Sequence, residues 1–264
     1  HFIRASGATN MTPEQDVTRH RLGGDGQYPK LALKERIRPD GSFSTFAFPD
    51  IAGLLFLLLL GADNVSGAAD PYTHTITPSD AASLPWCSIE ENIAGQIIRR
   101  IQDCRIQSIA VRGESGMPIT LEVEYLGTTE AEATAAVESY ETDAPFLFYQ
   151  GAYTLDGSDI SASIQAFDIT IRNIFDTDDF AAGVTRADIP LIGRDIEGTV
   201  RVRFETADLY KKAFWGGAAG TQISDAVFEG GSIDIQQSYN AGNRLLQINI
   251  PKIAYVRSVT ELDP

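Results

Sequence analysis

Residues 118–126 read PITLEVEYL, with Ile119, Leu121, Val123 and Tyr125 on one side and Thr120, Glu122 and Glu124 on the other. Only an extended chain sorts residues in this way, because successive side chains of a strand point to opposite faces. The same period recurs along most of the sequence. Strands are expected at 31–37, 84–92, 96–112, 145–149, 167–174, 199–204, 231–238 and 244–251. Residues 42–48 join them on aromatic content more than on alternation. Turn residues punctuate these runs: Pro39-Asp40-Gly41, Ala94-Gly95, Gly113 to Met117, and Asn240 to Gly242. The expected fold class is therefore mainly β, with two packed sheets.

Two segments break the period. Ile51 to Leu60 reads IAGLLFLLLL, apolar all round, with Asp50 placed to cap a helix and Gly61 to end it in a left-handed conformation. These ten residues fall short of the roughly 20 that a bilayer requires. No basic flank precedes them, so they do not read as a secretory signal. The run is expected to be sandwiched inside the fold or covered by a neighbouring subunit. A second, short helix is expected at 207–215, ended by Gly216-Gly217. The Ala- and Glu-rich stretch 128–142 fits a short helix or an acidic loop, 62–71 reads as a loop, and a long loop is expected over 175–195.

The chain has 21 Lys and Arg against 36 Asp and Glu, a formal charge of −15. Nucleic acid and anionic membrane repel such a protein. The charge fits ordinary solubility, and it also fits a surface that DNA slides past without sticking.

Enzyme signatures are scarce. The sequence has no GxSxG, Walker A, HExxH or GxGxxG pattern. Ser115 lies in Gly113-Glu-Ser-Gly-Met117 and reads as a hairpin turn. His74 reads as a surface or hydrogen-bonding residue in a strand. Asp176, Asp178 and Asp179 resemble the start of a calcium loop, but no Gly stands at its sixth position, so an acidic loop is expected. Glu90 and Glu91 point to opposite faces and cannot converge on a substrate. Cys87 and Cys104 occupy facing positions if the hairpin turns at Gly95-Gln96, which also sets Glu91 against Arg100. Reduced core thiols and a disulfide both remain open there. Neither a CxxC nor a ligand-spaced His pair occurs, so no metal or other cofactor is expected, and Trp86 and Trp215 lie in patterns that look buried.

The order of elements carries a family resemblance. Phe46-Ala-Phe-Pro49 leads into the apolar helix and Leu57-Leu-Leu-Leu-Gly61. Leu84-Pro85-Trp86-Cys-Ser-Ile-Glu90 opens a long hairpin that returns through Asp103-Cys-Arg-Ile-Gln-Ser-Ile-Ala-Val111. Leu121-Glu-Val-Glu-Tyr-Leu-Gly127 follows, then Phe167 to Ile174, a helix with Leu209-Tyr210, and Leu245-Leu-Gln-Ile-Asn-Ile-Pro251. This series resembles the major tail tube proteins of long-tailed, siphovirus-type bacteriophages. The resemblance implies a tail-tube β-sandwich with flanking short helices that contributes to a closed β-barrel in a ring oligomer. It implies stacked hexameric rings forming the conduit for DNA ejection, an acidic lumen that DNA crosses without specific binding, and no catalysis. The implied partners are other copies of the chain, the tape measure protein and other tail proteins. The implied place is the virion tail, assembled in the host cytoplasm, with no membrane. Glu122 and Glu124 become candidate lumen-facing residues, and Asp176, Asp178 and Asp179 candidates for ring-to-ring contact. Residues 1–25 are expected to form an arm and 26–264 the tail tube domain, with two similarly ordered halves at about 31–126 and 167–259. An inner tube of a contractile injection or secretion system and a carbohydrate-binding β-sandwich are the alternatives.

Overall fold

A computed structural model describes every residue except 7–8, 12, 23–26, 68–71, 80–83, 94, 138, 141, 204–206, 226–230, 240–243 and 257–264. The expected turn at Asn240 to Gly242 thus lies outside the described residues. Among the described residues the chain is mainly β, with fifteen strands and two α-helices. The strands are β1 (Glu14–His20), β2 (Leu31–Arg38), β3 (Gly41–Phe46), β4 (Gly61–Ser66), β5 (Thr73–Pro78), β6 (Cys87–Ile93), β7 (Ile97–Glu114) and β8 (Thr120–Leu126). They continue as β9 (Thr129–Glu132), β10 (Gly151–Leu155), β11 (Ser158–Asp159), β12 (Ile164–Phe175), β13 (Leu191–Val202), β14 (Gly231–Tyr239) and β15 (Arg244–Ile253). The helices are α1 (Pro49–Leu60) and α2 (Asp208–Phe214).

The largest sheet runs in the order β13-β12-β7-β8-β3, with β6 and β9 also paired to the long strand β7. A second sheet has the order β11-β10-β14-β15, while β1-β2 and β4-β5 form separate two-stranded ribbons. The chain divides into two compact units, and β7, β12 and β13 each pass from one into the other. The first unit holds residues 1–111, 120–143 and 169–197; the second holds 112–119, 144–168 and 198–264. Both units draw on residues of both halves expected from the sequence, 31–126 and 167–259.

In the first unit α1 starts with Pro49 in its first turn, where a missing N–H costs nothing. Phe48 is the capping residue, so Asp50 sits inside the first turn and does not cap the helix as expected. There its carboxylate favours the positive end of the helix dipole. Gly61 closes the helix at φ 97° and donates its N–H to the Leu57 carbonyl. Ile51, Ala52, Leu55, Phe56 and Leu59 are buried. Asn173, on β12 and fully buried, donates to the carbonyls of Leu59 and Ile106 and so ties the end of α1 to the sheet. Gly41 faces Tyr125 across β3 and β8, and an added Cβ would stand 2.3 Å from the Tyr125 hydroxyl. A side chain there would force the sheet apart.

The β6–β7 hairpin turns between Ile93 and Ile97, which stand opposite each other. This register sets Glu91 against Arg99 and Glu90 against Arg100, one residue away from the expected pairing of Glu91 with Arg100. Cys87 and Cys104 nevertheless face each other, because an irregularity between Cys87 and Ile89 restores the count. Asp103, at φ 49°, is the extra residue's left-handed neighbour on β7. Both cysteines are free thiols.

The second unit is organised on aromatic packing. Tyr153 on β10 stacks near Phe167 on β12, with centroids 5.8 Å apart, and both rings meet Phe148. Phe148 opens a single 3-10 turn, Phe148–Gln150, where a strand over 145–149 was expected. Pro118 and Leu147 make only an isolated bridge there. Asp156, in the turn after β10, accepts from Lys212 of α2, from the Tyr255 hydroxyl at 2.7 Å and from the Ser232 amide. Burial and this hydrogen bond both push the Tyr255 hydroxyl up from its ordinary value.

Candidate assembly surfaces

Glu122 and Glu124 lie on β8 with Leu121, Val123 and Tyr125 buried beneath them, so the alternation places both on the outward face. They stand opposite Ser44 and Ser42 of β3. Glu124 is not a bare charge: it accepts from the Ser108 hydroxyl at 2.7 Å and approaches Arg172 at 3.9 Å. In the second unit Arg112 pairs with Asp168 and Arg201 with Glu114. Some outward-facing charges in each unit thus meet a partner of opposite sign, and exposed pairs of this kind add little to stability.

Asp176, Asp178 and Asp179 begin an irregular segment that ends at Pro190, after which β13 runs from Leu191. The expected loop to Asp195 is therefore shorter, and the strand expected at 199–204 begins eight residues earlier. Asp176 accepts from the Asp178 amide, and Asp178 pairs with Arg36 of β2 at 3.1 Å. Arg36 also lies 5.0 Å above the Phe180 ring. The segment is anchored inward by Arg186, whose side chain is 1% exposed. Arg186 holds both carboxylate oxygens of Asp40 and donates to the carbonyls of Gly127 and Thr177. The three aspartates do not converge on a common point, and no cluster of three His, Cys, Asp or Glu able to hold a metal occurs among the described residues.

The sheet edges differ in how they are finished. Along β3 the N-terminal segment supplies bridges, Ala5 to Thr45 and Asn10 to Ser42, and the Ser6 amide donates to Ser44. β11 is two residues long. β13 and β15, of 12 and 10 residues, have no strand beyond them among the described residues. Ile192, on β13, is 71% exposed. On the same strand Arg194 donates to Asn173 at 2.7 Å, and burial alone holds its pKa down. Long unfinished edges of this kind template further strands.

Residues 62–71 were expected to form a loop, yet residues 62–66 belong to β4, which pairs with β5 as a ribbon. His74 on β5 is exposed and meets Asp63 at 2.7 Å. Within the stretch 128–142, Thr129–Glu132 form the short strand β9 and Tyr140 makes an isolated bridge with Phe2. Trp86 is 42% exposed, contrary to expectation, because its ring stacks under the Arg105 guanidinium at 4.1 Å instead of entering the core. Tyr210, Phe214 and Trp215 form a surface aromatic group on and after α2. Their planes are inclined at 42° and 81°, so they offer no flat platform for a sugar ring.

Residues 5–252 match the phage tail tube protein family. The chain belongs to the phage tail tube protein family. No curated protein matches it. As a tail tube protein it is a structural component of a phage virion tail, a role that calls on surfaces and edges and not on a reaction centre. No helix among the described residues is long and apolar enough to cross a membrane. Among the described residues no sheet of the monomer closes into a barrel, and β13 and β15 stand at sheet margins.

Proposed function

We propose that the chain is the major tube subunit of a long-tailed, siphovirus-type phage, and that it assembles into stacked hexameric rings around a lumen used for DNA ejection. The carrying observation is the family match over 5–252 together with two long unfinished edges on separate sheets. A copy that presents one edge to the unlike edge of its neighbour makes a head-to-tail contact, and such contacts close into rings when the rotation is right. Closure removes every exposed edge. Glu122 and Glu124 face the lumen in this reading, where their charge keeps DNA from adhering. Residues 1–25 act as an arm on the tube domain 26–264, and Asp176, Asp178 and Asp179 contact the next ring. The tape measure protein and other tail proteins are the partners, and assembly takes place in the host cytoplasm.

Native mass spectrometry of assembled material tests the ring size. The expected species has six times the 28.6 kDa chain mass. A species of three chains replaces the hexamer by a trimer, and a single chain at every concentration overturns the proposal.

A further inference from the structure

The ribbon β1–β2 has almost no core of its own. None of its residues is buried, and Val17, Leu31 and Leu33 are 49%, 37% and 46% exposed. A two-stranded ribbon is marginal in water unless something covers it. Among the described residues its base is held by the Ile37 amide donating to the Val184 carbonyl, by the Arg36–Asp178 pair and by Arg36 and Arg38 over the Phe180 ring.

The register makes the ribbon two-faced. Val17 stands opposite Lys34 and Arg19 opposite Ala32, on one face; Thr18 stands opposite Leu33 and His20 opposite Leu31, on the other. The first face is basic, and the second carries Leu31 and Leu33 beside Thr18 and His20. Between residues 17 and 38, Arg19, Arg21, Lys30, Lys34, Arg36 and Arg38 outweigh Asp25 and Glu35, in a chain whose total is −15. Arg19, Arg21 and Lys34 are exposed and have no ion-pair partner among the described residues.

The same chain carries the opposite surface. Residues 129–143 hold Glu130, Glu132, Glu138, Glu141 and Asp143 and no Lys or Arg. Glu130 and Glu132 are exposed on β9 and likewise have no ion-pair partner among the described residues. Val137 and Tyr140, 92% and 38% exposed, add apolar surface to the segment.

We propose that the β1–β2 ribbon of one copy docks through Arg19, Arg21 and Lys34 onto segment 129–143 of a second copy. This rests on the self-assembly reading and names two of the surfaces that serve it. Complementary charge sets the register and speeds encounter, while Val17, on the same face as Arg19 and Lys34, against Val137 and Tyr140 gives the contact its dry part. The exposed apolar residues favour a protein partner over nucleic acid, whose backbone would use the basic face alone.

The test compares four full-length chains by sedimentation velocity and electron microscopy: wild type, R19E/R21E/K34E, E130K/E132K, and a chain carrying all five changes. Circular dichroism checks that each folds. Each partial reversal is expected to raise the concentration needed for assembly by about tenfold or more. The five-fold variant is expected to recover most of the wild-type behaviour. Assembly of R19E/R21E/K34E at the wild-type concentration overturns the docking while leaving the tube reading intact. So does failure of the five-fold variant to recover. A wild type that never assembles overturns both. Gel-shift titration with duplex DNA covers the rival: binding by the wild type that R19E/R21E/K34E loses, with assembly unchanged, assigns the ribbon to DNA and overturns the docking.

Discussion

Asp40 and Arg186 are 146 positions apart in sequence, yet their pair fixes the base of the irregular acidic segment. No local pattern announces such a contact, because an arginine in a polar loop reads as solvated until the fold closes over it. Tyr153 is similar. Its hydroxyl donates to the Phe148 carbonyl and accepts from Gln237 in the core. Burial pushes it from 10.0 up to about 12, against the opposing effect of the Gln237 hydrogen bond. A raised folded value means that the fold favours the neutral phenol. That stabilisation is complete below about pH 10 and is lost as the pH rises from 10 to 12. Tyr153→Phe is expected to flatten this alkaline limb in denaturant titrations. At pH 7 it should destabilise by about 1–3 kcal/mol, because Gln237 loses its acceptor. An unchanged alkaline limb would contradict the assignment. Glu91 was legible as a partner for the facing strand, but its pairing with Arg99 instead of Arg100 was not, because a three-residue turn shifts the register by one.

The elements were easier to read than their partners. The period of two located β8, β12, β14 and β15, and the apolar run located α1 with Gly61 at its end. What escaped was strand formed by polar sequence: β4 and the first part of β13 lack clean alternation because neither is half-buried in the usual way. Alternation reports burial on one face, and a strand exposed on both faces gives no signal. Glycines within and after α1 test the local account. Gly61→Ala places a Cβ 2.2 Å from the Ser79 hydroxyl at φ 97°, and is expected to cost about 2 kcal/mol or more and to lower the thermal midpoint. Gly53→Ala, where nothing lies within 4 Å, should stabilise by about 0.5–1 kcal/mol. Equal effects at the two sites would contradict the left-handed role of Gly61.

At the scale of the molecule, the order of motifs disclosed the family before the structure did, and the match over 5–252 agrees. The candidate surfaces were less legible. Glu122 and Glu124 were placed on an outward face by alternation, but the approach of Glu124 to Arg172 depends on β12 lying beyond β7 from β8, and strand order is not written in any one segment. The free edges β13 and β15 are likewise properties of topology. They make self-assembly the central claim, and electron microscopy of the purified chain at rising concentration tests it most directly. Rings and hollow tubes are the predicted result. A chain that stays monomeric at every concentration, alone and with the tail proteins that would seed it, would contradict the account.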